Sequence, residues 1–256
     1  MSTRQRPSFP ARLGPTATPS APRPATVAPV QAVPLRARPH GVGLDSQAVR
    51  AKMVAKLAEQ GIRDARVLQA MGTIERHRFV DSALVNQAYE DTSLPIGLGQ
   101  TISKPGVVSR MAELLLEGRA GKLGRVLEIG TGCGYQAAVL SLLASEVYSI
   151  ERLRGLHDKA RENLRPLRLP NVHLLFGDGM LGYAKGAPYA AIIAAAGGEA
   201  VPQAWIDQLA VGGRLVAPVH AGPRQQALLV LDKTDQGVRQ TLLEAVHFVP
   251  LKSGVA

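Results

Sequence analysis

The stretch from Arg125 to Arg152 constrains the fold more than any other part of this chain of 256 residues. It reads RVLEIGTGCGYQAAVLSLLASEVYSIER: an apolar run, a glycine-rich turn, a helical pattern, and a second apolar run that ends on Glu151. Glycines at a strand end let the backbone turn tightly and approach a ligand closely, and the helix after them offers free N–H groups. Glu151 follows the turn by about 20 residues, the spacing of a carboxylate that binds ribose hydroxyls. The pattern therefore predicts the first half of a nucleotide-binding α/β unit.

The glycine spacing indicates which nucleotide this unit binds. The loop from Gly130 to Gly134 reads G-x-G-x-G, whereas a dinucleotide fingerprint needs glycine or alanine at the position that Tyr135 holds. With an acid two residues before the loop, Glu128, the pattern resembles motif I of class I S-adenosylmethionine methyltransferases. A bare structural turn is the alternative interpretation of these glycines. The flanking strand pattern and Glu151 favour cofactor binding.

Composition and charge narrow the class of protein. No apolar run approaches the roughly 18 continuous residues of a membrane helix, and the single cysteine, Cys133, excludes an intramolecular disulfide. We therefore expect a cytoplasmic protein without a membrane segment. Six arginines precede Asp45, so they account for six of the ten net positive charges and leave 10 − 6 = +4 for the rest. Nucleic acid is not indicated as a partner of the folded part, and we expect a monomer.

Residues 1–43 differ in composition from everything after them. They hold nine of the eighteen prolines, among alanine, threonine and arginine. Proline at this density removes hydrogen-bond donors and disfavours helices, so we predict a disordered tail. Weak electrostatic contact of this tail with RNA or acidic partners is the alternative to a merely solvated extension. The folded part is predicted at residues 44–256.

The region before the glycine turn, residues 44–120, is predicted to be a helical subdomain with a long loop. The loop, from Tyr89 to Pro105, contains two prolines and two glycines, and long loops of this kind are often functional. A helix is predicted over Val107 to Leu116. Ser103, just ahead of it, is open to two interpretations: a helix N-cap or a hydroxyl at an active site.

The region after the glycine turn, residues 121–256, is predicted to complete the sheet. A third strand ends in Gly177-Asp178-Gly179, where Asp178 can face the ligand crevice and accept a hydrogen bond from an adenine amino group, or serve as a turn residue. A fourth strand follows, and two late apolar runs read as an antiparallel closing pair. We predict an α/β fold with a doubly wound, Rossmann-like, mostly parallel sheet, N-terminal helices and an antiparallel C-terminal strand pair.

Taken together, these segments resemble the protein-L-isoaspartate O-methyltransferase family. The most specific segment, LPIGLGQTIS, ends at Ser103 and is followed by Pro105. Motif I, the acid-ended second strand, Gly177-Asp178-Gly179 and the late Phe248-Val249-Pro250-Leu251 follow in family order. The resemblance implies methyl transfer from S-adenosylmethionine to the free carboxylate of L-isoaspartyl residues in damaged proteins. The ester then cyclises to a succinimide, which opens partly to normal aspartate.

The resemblance also implies roles for individual residues. Ser103 corresponds to the family's active-site serine, which would orient the substrate carboxylate, and no general base or metal is needed. The glycines would hold the amino-acid end and ribose side of the cofactor, Glu151 the ribose, and Asp178 with Gly179 the adenine. The implied cofactor-binding residues are Thr101, Ile102, Ser103, Gly130, Gly132, Gly134, Glu151, Arg152, Asp178, Gly179 and Gln226.

The chain departs from the family pattern at two places, and two other functions stay open. Ala190 stands where the family usually has an acid, and the segment Ala194 to Gly198 differs near the expected substrate position. An RNA or small-molecule methyltransferase is one alternative, although the Asn/Asp-Pro-Pro-aromatic loop of amino methylation is replaced by Ala196-Gly197-Gly198-Glu199. A cofactor-binding protein without catalysis is the other alternative.

Overall fold

The computed structural model describes residues 47–223 and 225–256 of the chain. The tail predicted at residues 1–43, and its boundary with the folded part, lie outside the described residues. Six α-helices occur within the described ranges, and short 3₁₀ turns connect several of them. In chain order the helices are α1 (Gln47–Glu59), α2 (Ala65–Thr73), α3 (Pro105–Leu116), α4 (Tyr135–Leu143), α5 (Arg154–Leu164) and α6 (Gln203–Gln208).

The described residues form a two-stranded hairpin and one seven-stranded sheet. The hairpin pairs β1 (Leu94–Gly97) with β2 (Gln100–Ile102). The sheet has the order β5-β4-β3-β6-β7-β8-β9. Its strands are β3 (Leu123–Ile129), β4 (Ala144–Glu151), β5 (Val172–Phe176), β6 (Tyr189–Ala194), β7 (Leu209–Gly222), β8 (Gln225–Thr234) and β9 (Gly237–Val246).

The strand directions confirm the predicted fold class. The five neighbouring strands β5, β4, β3, β6 and β7 pair in parallel, whereas β8 and β9 join the sheet in antiparallel pairs. Central β3 is buried on both faces, as expected for a parallel strand covered by helices. The chain proceeds from β3 to β4 on one side and later returns to β6 on the other. This reversal of strand order opens a crevice at the carboxyl ends of β3, β4 and β6.

The N-terminal helices pack against the α/β unit rather than forming a separate core. Asp64 caps α2, since its Oδ1 accepts from the N–H of Arg66 at 2.9 Å. Phe79 meets Tyr135 of α4 edge-on, with ring centroids 5.5 Å apart. The guanidinium of Arg76 is fully buried and lies 4.8 Å from the same ring. Residues from both regions therefore share one continuous apolar core.

Two local predictions are wrong. The segment from Tyr89 to Pro105, predicted as a loop, contains the β1–β2 hairpin, because Gly97, Leu98 and Gly99 all adopt left-handed backbone angles and turn the chain tightly. Helix α3 begins two residues earlier than predicted, with Lys104 in the N-cap position. The N-cap interpretation of Ser103 is therefore excluded.

Candidate active site

A cavity of about 260 Å³ lies in the crevice at the carboxyl ends of the central strands. Its floor is formed by the loops after β3, β4 and β6. Its roof is formed by the β1–β2 hairpin and by the segment Val249–Lys252 near the end of the chain. Ala195, from the segment that departs from the family pattern, is part of the wall. Ala190 instead lies near the amino end of β6, where its Cβ is close to Gly124.

The glycine loop forms the floor because its backbone turns in ways that other residues rarely adopt. Gly130 and Gly132 line the cavity with φ angles of 91° and 57°. A Cβ on Gly132 would lie 3.2 Å from Cδ1 of Ile96, which descends from the hairpin. Gly134 has a different role: a Cβ there would lie 3.0 Å from Leu164 of α5. Gly134 thus allows two helices to pack closely, and it is not among the described residues that line the cavity.

Glu151 places a buried carboxylate beside the glycine loop. Its side chain is at the end of β4 and is only 5% exposed. Oε2 accepts from the N–H of Gly132, and Oε1 accepts from the N–H of Leu153, both at 2.9 Å. A carboxylate offers about four acceptor positions, so capacity remains for the two hydroxyls of a ribose. The two backbone bonds fix the orientation of the carboxylate.

A second buried acid lies beneath the loop and outside the cavity. Glu128 has no exposed surface, and burial raises the pKa of its carboxyl to about 8. The hydroxyl of Ser149 donates to Glu128, and the same hydroxyl is 2.6 Å from Oγ1 of Thr131. At neutral pH most of Glu128 is therefore protonated. The neutral acid and two hydroxyls connect β3, β4 and the start of the glycine loop.

Asp178 is held by backbone groups on both sides. Its Oδ1 accepts from the N–H of Met180 at 2.8 Å, and its Oδ2 accepts from the N–H of Gly254 at 2.6 Å. Arg152, which lines the cavity, donates from Nε to the carbonyl of the same Gly254 at 2.9 Å. Gly179 also lines the cavity, and a Cβ there would lie 2.6 Å from Ile129. Asp178 and Arg152 thus attach the last residues of the chain to the rim of the cavity.

Gln226 lies away from the cavity wall. Its Oε1 accepts from the N–H of Phe248 at 2.7 Å. Its Nε2 lies so close to Gly197 that a Cβ there would be 2.4 Å away. Gln226 is not among the described residues that line the cavity, and it instead supports the segment that continues into Val249–Lys252.

A second and larger cavity, of about 730 Å³, adjoins the first. It lies between the start of α3, the hairpin and the end of β9. Thr101 and Ser103 line both cavities, as do Ala195 and Val249. Ser103 is half-buried at this junction, and buried Ile102 lines the first cavity. The hairpin therefore places the predicted active-site serine where the two spaces meet.

Several residues that line the first cavity carry no recognisable signal of that role in the sequence. Leu98, at the hairpin tip, and the pair Leu251 and Lys252 contribute to the first cavity. Leu98 is an exposed apolar residue between two glycines, and nothing in this pattern indicates a binding residue. Its place at the cavity depends on how the hairpin packs against α5. The apolar segment before Lys252 was recognisable as part of the family pattern, but its place over the cavity was not.

Comparisons with known proteins agree with this geometry. The family model "Protein-L-isoaspartate(D-aspartate) O-methyltransferase (PCMT)" matches residues 48–256. A protein-L-isoaspartate O-methyltransferase of Methylibium petroleiphilum is 63% identical over 84% of this chain and 81% of its own length.

Solved structures show the same relationship. One protein-L-isoaspartate O-methyltransferase has a TM-score of 0.73 and 29% identity, covering 80% of this chain and 67% of its own. A putative Plasmodium falciparum member, solved in complex with S-adenosyl-L-homocysteine, has a TM-score of 0.67 over 79% of this chain and 98% of its own, and at 23% identity it shows the fold alone. The family match covers nearly all of the described residues. The chain therefore belongs to the protein-L-isoaspartate(D-aspartate) O-methyltransferase family.

Proposed function

We propose that the two cavities are the donor and acceptor halves of one active site. Family membership gives the reaction: a methyl group passes from S-adenosylmethionine to the free carboxylate of an L-isoaspartyl residue in a damaged protein. The observation that carries the assignment of the halves is that Thr101 and Ser103 line both cavities. The smaller cavity, with its glycine floor, suits the cofactor. The larger cavity suits a peptide chain.

The residues of the smaller cavity fit S-adenosylmethionine. We assign the ribose hydroxyls to Glu151, whose fixed carboxylate retains acceptor capacity. Gly130 and Gly132 allow close approach of the backbone to the amino-acid end of the cofactor. Gly179 borders the place of the adenine, and Asp178 supports that border. The hairpin residues Thr101, Ile102 and Ser103 and the side chain of Arg152 complete the wall, whereas Gly134 and Gln226 act indirectly through packing.

The reaction requires the protein to align the two reactants rather than to transfer a proton. The bound cofactor supplies a methyl group on a sulfonium, which is already an activated leaving group. The substrate carboxylate is ionised at neutral pH, so no side chain has to remove a proton. The protein contributes by positioning the carboxylate oxygen in line with the methyl group and by excluding water from the junction. Ser103, at that junction, donates a hydrogen bond that orients the carboxylate.

Replacing the hydroxyl of Ser103 tests this assignment. We expect Ser103→Ala to lower kcat/KM for an isoaspartyl peptide by about 100-fold, because transition-state alignment depends on that hydrogen bond. Affinity for S-adenosylhomocysteine, measured by calorimetry, should change little. Ser82→Ala, at an exposed position outside both cavities, is the control. Equal rates for Ser103→Ala and wild type would remove Ser103 from the site.

The alternative functions are separated by the choice of substrate. Radiolabelled S-adenosylmethionine is offered with an isoaspartyl peptide, its normal aspartyl counterpart and RNA. Base-labile label on the first substrate only is expected. Label on RNA would favour a nucleic-acid methyltransferase, and absence of label everywhere would favour a binding protein without catalysis. We also expect a cytoplasmic monomer, which light scattering of the purified chain and cell fractionation would check.

A further inference from the structure

We propose that Lys104 makes the larger cavity selective for isoaspartyl peptides with an acidic residue directly beside the isoaspartate. The inference rests on the proposed function, because it takes this cavity as the peptide cleft. Lys104 immediately follows Ser103 and lines the cavity, and its side chain is 47% exposed. Its ammonium group can therefore reach a peptide whose reactive carboxylate lies at Ser103.

The other cation of the cleft, Arg110, already has carboxylate partners. Arg110 donates from Nε to Oε1 of Glu244 at 2.8 Å, and from Nη1 to Oε2 of Glu113 at 3.4 Å. These contacts hold Arg110 between two carboxylates, so little of its charge is available to a peptide. The charged or titratable residues that line the cleft, among those described, are Asp91, Lys104, Arg110, Glu244 and His247.

Lys104 is paired much more loosely. Its Nζ lies 3.9 Å from Oδ2 of Asp91, which is an ion pair beyond hydrogen-bond distance. An ammonium group has three donors, so donors of Lys104 remain available. Asp91 does not follow when Lys104 turns, because its Oδ1 accepts from the N–H of Gly106 at 2.6 Å and is fixed there. Turning towards a peptide carboxylate therefore costs Lys104 only a weak, partly screened contact.

The two ends of the cleft also differ in potential. At the Ser103 end, the positive N-terminal end of α3 adds to the charge of Lys104, against the single carboxylate of Asp91. Farther along α3, the single cation Arg110 stands between Glu244, which lines the cleft, and Glu113, which lies outside its lining. The cleft therefore becomes more negative away from Ser103. An acidic neighbour of the isoaspartate fits the Ser103 end and is disfavoured at the other.

The test uses the full chain and three synthetic isoaspartyl peptides with Glu, Gln or Lys directly beside the isoaspartate, placed before it in one set and after it in another. In at least one set, wild type should show a kcat/KM about threefold higher for Glu than for Lys, mainly through KM, as expected for an exposed ion pair. Lys104→Gln should remove the preference, and Lys104→Glu should reverse it.

Two further variants make the test specific. Asp91→Asn keeps an oxygen for the N–H of Gly106 but removes the competing charge, so it should increase the preference for Glu. Lys122→Gln, at an exposed position outside both cavities, should leave the preference as in wild type. High salt should weaken the preference, because exposed charges are screened.

The outcomes separate this inference from the function on which it rests. Equal kcat/KM for all peptides in wild type, or an unchanged ratio in Lys104→Glu, would overturn the role of Lys104 while leaving isoaspartyl methylation intact. No methylation of any isoaspartyl peptide by wild type would overturn the proposed function itself. Calorimetric binding of S-adenosylhomocysteine reports whether each variant is folded. If Lys104→Glu does not fold, the peptide preference of Lys104→Gln decides the role of Lys104.

Discussion

The floor and the roof of the cofactor cavity are built from different kinds of sequence. Most of the floor comes from one continuous stretch, in which β3, the glycine loop and β4 bring Gly130 and Glu151 together through adjacent parallel strands. The roof comes from the hairpin and from Val249–Lys252, segments about 150 residues apart along the chain. The hairpin contacts the floor by side-chain packing, as Ile96 does on Gly132, whereas the second roof segment is joined to the loop after β6 by backbone hydrogen bonds, such as that from the N–H of Leu251 to the carbonyl of Gly197 at 2.8 Å. The floor of a binding site can thus come largely from one short stretch of sequence, whereas its roof depends on the whole fold.

Among the substitutions that compare floor and roof, the largest effect is expected where the two meet, at Gly132. Gly132→Ala combines a left-handed φ of 57° with a Cβ only 3.2 Å from Cδ1 of Ile96. Strain of this kind costs about 2 kcal/mol, so we expect the dissociation constant of S-adenosylhomocysteine to rise roughly 30-fold. Calorimetric titration measures it.

Gly118→Ala is the matched control for that experiment. Gly118 also has a left-handed φ, of 72°, but open space surrounds its Cβ position. It should lower the free energy of unfolding without weakening cofactor binding. If both substitutions weakened binding equally, the loss would come from general destabilisation, and the contact between hairpin and floor would lose its importance.

A second prediction concerns the floor alone, through Glu128. Burial raises the pKa of this carboxyl from its ordinary value to about 8, so the folded protein keeps a proton that the unfolded chain releases. Stability from this group is fully present at low pH and falls as pH rises from the unfolded pKa towards 8. Relative to Glu128→Gln, which has no such proton, wild type should lose about 2 kcal/mol of unfolding free energy between pH 6 and pH 8.

Urea unfolding of both proteins at the two pH values measures this difference. Glu59→Gln, on the exposed side of α1, serves as the control and should follow wild type. Parallel pH dependence of wild type and Glu128→Gln would show that the buried carboxyl is ionised in the folded state. The hydroxyls of Ser149 and Thr131 would then be arranged around an anion.

The contrast between floor and roof also explains how much of the site could be predicted from the sequence. The strand, glycine turn and carboxylate of the floor follow from local spacing, and the structure places Gly130, Gly132 and Glu151 together as expected. The partner of Asp178 could not be predicted, because Gly254 is 76 residues away along the chain. Gly134 looked like its neighbours in the motif, yet the approach of Leu164 gives it a packing role. Local patterns specify backbone shape, but they do not specify which distant side chain fills the space beside it.

The smallest effect is expected from the anchor of the roof, Lys159 on α5. Its Nζ donates to the carbonyl of Ile96 at 3.0 Å and lies 3.4 Å from Oδ1 of Asp81, so it fixes the hairpin over the floor. Removing one such bond costs about 1 kcal/mol. Because Ser103 is carried by the same hairpin, we expect Lys159→Met to lower kcat/KM for an isoaspartyl peptide about threefold.

Lys56→Met, an exposed change in the last turn of α1, is its control and should leave kcat/KM unaltered. The decisive result for Lys159→Met is which property falls, cofactor binding or peptide methylation, rather than how far it falls. If Lys159→Met weakened cofactor binding as strongly as peptide methylation, the hairpin would act mainly as part of the cofactor site. If methylation alone falls, the roof serves to position Ser103, and the local floor is sufficient to bind the cofactor.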